Sequence, residues 1–224
     1  MSSCVLAIAA SDVLGHSGIE ADIRTISAVG GRVVAAIPAF ICGNAQPQVL
    51  PSDLVLWQVR HALAEAKPAV IKLGRVYSAE TADDLFSLLE EMPDENRKLV
   101  IGFSCGGQHP NVEEMASYKR NLLLRADLVV LGVPEVEMLT GYAVHDIVGL
   151  QHAAGMMLTI GVRAALIKGS DAIGQDIFAT DISTDMYPLV RPRDAYLFDS
   201  AAAIAAFMAS GCDLAGAVRN LCAG

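Results

Sequence analysis

The chain has 224 residues, 53% hydrophobic and 18% charged, with a formal net charge of −9. That length suits one well-buried domain, and the aliphatic excess excludes disorder. The acidic balance argues against nucleic acid as a partner, which would call for clustered Lys and Arg.

Val5 to Ala10 is a short apolar strand, followed by the turn-rich Ser11 to Gly18 and a helix carrying Ile19, Ile23, Ile26 and Ala28 at helical spacing. Val33 to Ile41 reads as one second strand, Asp53 to Ala66 as a helix and Ala69 to Leu73 as a strand. A helix from Ser78 to Met92 is capped by Ser78 or Thr81, the strands Leu99 to Phe103 and Asp127 to Leu131 follow, and a helix near Val112 to Leu123 lies between them. Pro134 to Thr140 and His145 to Gly161 are predicted helices, Ala164 to Lys168 a strand, and Asp176 to Thr180 with Asp185 to Val190 an antiparallel hairpin. Two helices close the chain, Ser200 to Ser210 stopped by Gly211 and Asp213 to Leu221 capped by Asp213.

Strands alternating with helices, without repeat or linker, predict an α/β fold over residues 1–224 as a single domain. Its sheet is doubly wound and mostly parallel, with helices on both faces and a ligand crevice at the carboxyl ends of the strands. No GxGxxG follows the first strand, which removes a dinucleotide-binding reading. Cys4, Cys42, Cys105, Cys212 and Cys222 are odd in number and scattered, as expected of reduced thiols. His145 and His152, seven apart on a helix, are not spaced as metal ligands. The first residues carry no basic segment, and no run of about 18 apolar residues occurs, so a cytoplasmic protein without a membrane span is expected.

Ile8 to Asp12 with Gly15 to Thr25 resembles AGSDPSGGAGIQADLKT, the opening pattern of the hydroxymethylpyrimidine and phosphomethylpyrimidine kinases of the ribokinase superfamily. Further islands fall in that family's order: Asn44; Lys72-Leu73-Gly74; Ser78 to Thr81; Pro134-Glu135 with Leu139-Thr140-Gly141; Leu166 to Gly169; and Ala202 to Ala206 with Gly211, Asp213-Leu214 and Ala217-Val218. The resemblance implies ATP- and Mg2+-dependent phosphorylation of hydroxymethylpyrimidine or its phosphate in thiamine biosynthesis. It also implies a homodimer paired through the first half of the chain, where Val33 to Ile41 is very apolar. Two other readings are kept open: a non-catalytic small-ligand-binding or regulatory paralogue, and a pyridoxal kinase-like enzyme. The ligand expected is therefore a pyrimidine-like or pyridoxal-like small molecule.

Carried over position by position, the resemblance implies a substrate wall of Asp12, Gly18, Asp22, Gly43, Asn44, Gly74 and Arg75, and a nucleotide side of Lys168, Gly169 and Glu135, the last also the candidate magnesium ligand. Several positions depart from the family. Ala195-Tyr196-Leu197-Phe198 stands for the glycine-rich GTGC loop, Gly102 to Cys105 replaces the acidic DPVM, Gly132 stands for the metal-side Asn, His16 for a Gly and Arg75 for a Met. Weak or lost catalysis is the expectation, because phosphoryl transfer depends on such positioning and charge-stabilising groups. Two roles are open to Asp199, helix cap or catalytic base, and two to Glu135, helix dipole partner or holder of hydrated magnesium. Lys168 is either a phosphate contact or a snorkelling strand-end side chain, Asp12 a ligand contact or a turn former, and Arg75 a pocket wall or a surface charge.

Overall fold

The computed structural model describes residues 4–43, 45–94, 96–103, 110–189 and 199–223. The expected α/β fold is present: an eight-stranded sheet ordered β11-β10-β9-β8-β7-β6-β1-β3. In chain order these strands are β1 (Cys4–Ile8), β3 (Arg32–Ala36), β6 (Val70–Leu73), β7 (Lys98–Gly102), β8 (Leu128–Gly132), β9 (Ala164–Lys168), β10 (Gln175–Thr180) and β11 (Thr184–Pro188). The six from β3 to β9 run parallel, and β10 and β11 add an antiparallel edge. Their aliphatic runs are buried on both faces, as a sheet covered on each side requires.

Helices α1 (Gly18–Ala28), α7 (Ser200–Ala209) and α8 (Leu214–Ala223) cover one face, packing Ile19, Ile26 and Ala202 to Ala206 on Val5, Ala7, Val100 and Leu166. The other face carries α2 (Ser52–Ala66), α3 (Ala79–Glu91), α4 (Val112–Ser117), α5 (Val133–Thr140) and α6 (Ile147–Ile160). After β1 the chain moves outward to β3, then crosses back to β6 on the other side of β1. The carboxyl end of β1 is thus the topological switch point, where crevices open in such sheets.

The expected strand Val33 to Ile41 is in fact two. β3 ends at Ala36, and β4 (Ala39–Ile41) joins a separate three-stranded sheet with β2 (Ser11–Asp12) and β5 (Gln48–Val49). The break falls at Ile37-Pro38, because Pro38 has no N–H for a ladder. Gln58 of α2 takes over the pairing there: Ile37 N donates to its Oε1 at 2.9 Å, and its Nε2 donates to Ile37 O at 3.1 Å. The predicted helix Val112 to Leu123 is α-helical only as far as Ser117 and then widens into a π-helical turn over Tyr118–Leu122. Val190, the expected end of the hairpin, lies outside the described residues.

Caps expected from sequence are made by side chains. Ser78 accepts from Thr81 N at 3.1 Å, and Asp213 from Gly216 N at 2.7 Å. Gly211, at φ 102°, ends α7 in a conformation that suits glycine. No helix among the described residues is long and apolar enough to cross a membrane.

Candidate functional site

Past β1 the chain passes through Ala9 and Ala10 into β2, and Asp12 gathers the following turn around its carboxylate. Leu14 N donates to Oδ1 at 3.0 Å, while His16 N at 3.1 Å, Ser17 N at 3.0 Å and Ser17 Oγ at 3.0 Å converge on Oδ2. Burial alone would raise the Asp12 pKa, but these donors outweigh it and hold the carboxylate below its ordinary value. Asp12 is only 8% exposed, and its geometry is that of the turn former. Gly18 follows at φ +64°, and a Cβ there would stand 2.1 Å from Ala10 O, so the residue has to be glycine. His16 sits on this same loop.

The second wall comes from the end of β6. Gly74 N donates to Ile8 O at 2.7 Å, drawing β6 against β1. Arg75 then binds Glu114 through Nε, at 3.1 and 3.0 Å, and through Nη2 at 2.9 Å, and its guanidinium lies 4.0 Å over the Tyr77 ring. Glu114 is buried and also accepts from Tyr77 N at 3.1 Å. Tyr118 Oη donates to Gly74 O at 2.8 Å and accepts from Val76 N at 3.2 Å, and its ring meets Phe103 edge-on.

Tyr77 packs on Ala10, Ala39 and Ile41, and Ile41 is the register partner of Asp12. Asp12 is thus part of the small sheet, Arg75 reaches it through Tyr77, Gly74 lies against Ile8 and Ala9, and Gly43, at φ +51°, is two residues beyond Ile41. Asn44 lies outside the described residues, as do the Ala195 to Phe198 loop and Ser104-Cys105.

Beneath this wall is a buried cluster of charge. Lys72 Nζ donates to Asp22 Oδ1 at 2.7 Å and Oδ2 at 2.9 Å, and to Asp199 Oδ2 at 3.4 Å. The three side chains are 1%, 0% and 3% exposed. Asp199 Oδ1 accepts from Ala202 N at 2.7 Å, capping α7, and Asp199 N donates to Thr25 Oγ1 at 3.0 Å. Both Asp199 oxygens are thus engaged. Asp22, expected against substrate, is enclosed with both oxygens on Lys72.

Burial would lower the Lys72 pKa, but Asp199 and Asp22 outweigh it and push the ammonium up to about 12. Asp22 rises to about 7: burial raises it most, Lys72 pulls it down, and Asp199 and Glu20 repel the charge. Two carboxylates share one ammonium away from water, so Lys72 stays protonated and one carboxyl holds a proton well above the usual acid range.

The motif order includes Lys72 without giving it a role, and does not include Glu114. A signal for Lys72 was there: one cation stands in the otherwise apolar Val70-Ile71-Lys72-Leu73, and one acid shares the Ile19, Asp22, Ile26 stripe. Buried charges of opposite sign on core-facing positions have to find each other.

At the far side of the sheet end, Gly132 and Lys168 are register partners on β8 and β9. Glu135 turns back to accept from Gly132 N at 3.0 Å, and is buried in that capping role. The Lys168 ammonium contacts buried Asp176, which also accepts from Gly169 N at 3.0 Å. A Cβ on Gly169 would stand 2.0 Å from Gln175 O, so close backbone approach demands this glycine. Among the described residues no group of three His, Cys, Asp or Glu is placed to hold a metal. Cavities of about 480 and 580 Å³ open at the opposite, amino ends of the strands. There Lys98 and Arg163 both pair with Asp127, away from the switch point.

The sequence profile described as phosphomethylpyrimidine kinase matches residues 12–221. The hydroxymethylpyrimidine/phosphomethylpyrimidine kinase of Streptomyces coelicolor is 31% identical over 186 residues, which are 81% of this chain and 68% of that protein. The thiamine biosynthesis bifunctional protein of Geobacter sulfurreducens is 27% identical over 201 residues, 84% of this chain and 40% of its own length. The crystal structure of phosphomethylpyrimidine kinase from Clostridium difficile 630 aligns with a TM-score of 0.85 at 23% identity, covering 98% of this chain and 97% of that one. Pyridoxal kinase from Staphylococcus aureus, in complex with AMP-PCP and pyridoxal, aligns with a TM-score of 0.84 at 22% identity, covering 99% and 85%.

The raised Asp22 pKa gives a signed prediction. The unfolded chain loses this proton near 3.8 and the folded chain near 7, so the stabilisation is complete below the lower value and is lost as pH rises through the upper. Thermal midpoints should fall between pH 5 and 8 in the native chain and flatten in Asp22→Asn; an equal slope in both would remove Asp22 as the cause.

Proposed function

Because the chain belongs to the phosphomethylpyrimidine kinase family of the ribokinase superfamily, we propose that it binds a magnesium nucleotide and a hydroxymethylpyrimidine-type alcohol, or its phosphate, at the carboxyl ends of the strands, and transfers phosphate slowly. Asp12, Gly18, Gly43, Asn44, Gly74 and Arg75 form the acceptor side. The Asp12 turn presents its outer surface there, and Arg75, held flat by Glu114 and Tyr77, gives the wall a fixed cationic edge.

The phosphates lie toward α7, Lys168, Gly169 and Glu135. The first-turn N–H groups of α7, from Ser200 and Ala201, have no intrahelical acceptor, and the helix dipole favours an anion there. ATP is the donor this family implies, and Glu135 would hold a hydrated magnesium that would supply charge neutralisation at the phosphates. The place of action in this proposal is the cytoplasm.

The observation that carries slow transfer is the state of Asp199. A general base needs access to the acceptor hydroxyl, and this carboxylate is only 3% exposed, with one oxygen accepting from Ala202 N and the other 3.4 Å from the Lys72 ammonium. The Ala195 to Phe198 segment also lacks the glycines that would let backbone N–H groups close on a phosphate. Positioning without a base or a glycine loop leaves binding ahead of chemistry. The fold shared with pyridoxal kinase from Staphylococcus aureus favours pyridoxal as a second acceptor to test.

The chain also offers exposed apolar side chains on the small sheet and the start of α2, namely Phe40, Val49, Leu54 and Trp57. These support the homodimer through the first half. Light scattering at micromolar concentration should return twice the chain mass; a monomer would remove the dimer.

With ATP, magnesium and, in turn, hydroxymethylpyrimidine, its phosphate and pyridoxal, turnover should stay far below the ~1–100 per second of ordinary kinases and change little in Asp199→Asn. Turnover of about one per second that vanishes in Asp199→Asn would make Asp199 the base and overturn the reading.

A further inference from the structure

The cap of α7 poses an electrostatic problem for the site described above. A helix end that takes a polyanion works because its dipole and N–H groups are positive, and Asp199 places a carboxylate at that end. Left alone, this charge would repel a nucleotide. The cap cannot turn away, since Oδ1 is held by Ala202 N and the backbone by Thr25 Oγ1. Lys72 approaches from β6, on the side away from solvent, and is the one cation within hydrogen-bond reach of Asp199 among the described residues.

We infer that Lys72 is a positioning residue for phosphate binding: held between Asp22 and Asp199, it neutralises the carboxylate that caps α7, and Asp22 takes up a proton as the anion arrives. This rests on the phosphoryl-transfer reading of the site. Lys72 never meets the ligand; it acts through Asp199.

The proton follows from counting charge. One ammonium faces two carboxylates, so the fully ionised cluster carries −1 in a space without water. An incoming phosphate adds negative charge beyond Asp199 and makes that excess harder to keep. Asp22 is the member able to release it, since Asp199 is fixed by the N–H of Ala202 while Asp22, among the described residues, accepts from Lys72 alone.

Among the described residues, the charged groups facing Asp22 are Lys72 from β6, Asp199 from α7 and Glu20 from its own helix. β1 presents apolar Val5 and Ala7 on that face. Glu20 is itself committed to Ser11 Oγ at 2.6 Å and Asp12 N at 2.8 Å, which ties the cluster to the turn on the acceptor side. The raised pKa of Asp22, already near neutral without ligand, fits a group poised to accept a proton.

The test is calorimetric titration of the whole protein with magnesium ATP at pH 7, in buffers of different ionisation heat. The native chain should take up a net fraction of a proton per nucleotide. Asp22→Asn should still bind but lose that uptake. Lys72→Met should weaken binding by roughly tenfold or more, and Lys72→Met combined with Asp199→Asn should recover most of it, because the double variant removes both charges.

Recovery in the double variant is a result that lost packing alone would not give. If Lys72→Met does not fold by circular dichroism, the comparison of native and Asp22→Asn uptake decides. Uptake unchanged in Asp22→Asn, or a double variant binding no better than Lys72→Met, overturns the inference while leaving the kinase reading intact. A native chain that binds no ATP ends both.

Discussion

Three ionisable groups enclosed together set the terms for this protein. Taking an ammonium and two carboxylates out of water costs several kcal/mol for each ion unless geometry and hydrogen bonds return it. Lys72, Asp22 and Asp199 come from the middle of a strand, a helix on one flank and the cap of a helix near the chain's end. Their contacts therefore fix β6, α1 and α7 relative to one another more stringently than apolar packing does, since an aliphatic contact tolerates a shift that a buried ion pair does not.

The rest of the site is arranged by similar closures. Asp12 folds the turn after β1 onto its own carboxylate, and Glu20 ties that turn to α1. Glu114 fixes Arg75 and the backbone of Tyr77, and Tyr118 bridges Gly74 and Val76. Among the described residues, these polar groups at the strand ends are thus each oriented by another. Such a site suits recognition of a defined small molecule. The enclosure of Asp199 is the basis of the slow transfer proposed above.

The sequence was most legible where one physical pattern dominates. Aliphatic runs alternating with amphipathic stripes announced the parallel sheet, and Ser78, Asp213 and Gly211 ended helices where cap chemistry puts them. The run Val33 to Ile41 misled because its hydrophobicity is continuous while its hydrogen bonding is not: Pro38 breaks the ladder, and Gln58 on a distant helix makes the break tolerable. Asp12 lies on the small sheet, and Tyr77, three residues beyond Gly74, packs on the same sheet. Lys72 went unread as a functional residue because its partners are fifty and more positions away, and only the fold shows that Asp22 and Asp199 arrive at the same point.

The account turns on Lys72 being a charged, enclosed ammonium shared by two carboxylates. Nitrogen-15 resonance of the Lys72 side chain, followed from pH 6 to 11 in the native protein, tests this directly. A protonated, slowly exchanging ammonium that holds its charge past the ordinary lysine range, and shifts as Asp22 titrates near pH 7, is the predicted result. A Lys72 amine that loses its proton below pH 9, or exchanges as fast as surface lysines, would contradict it.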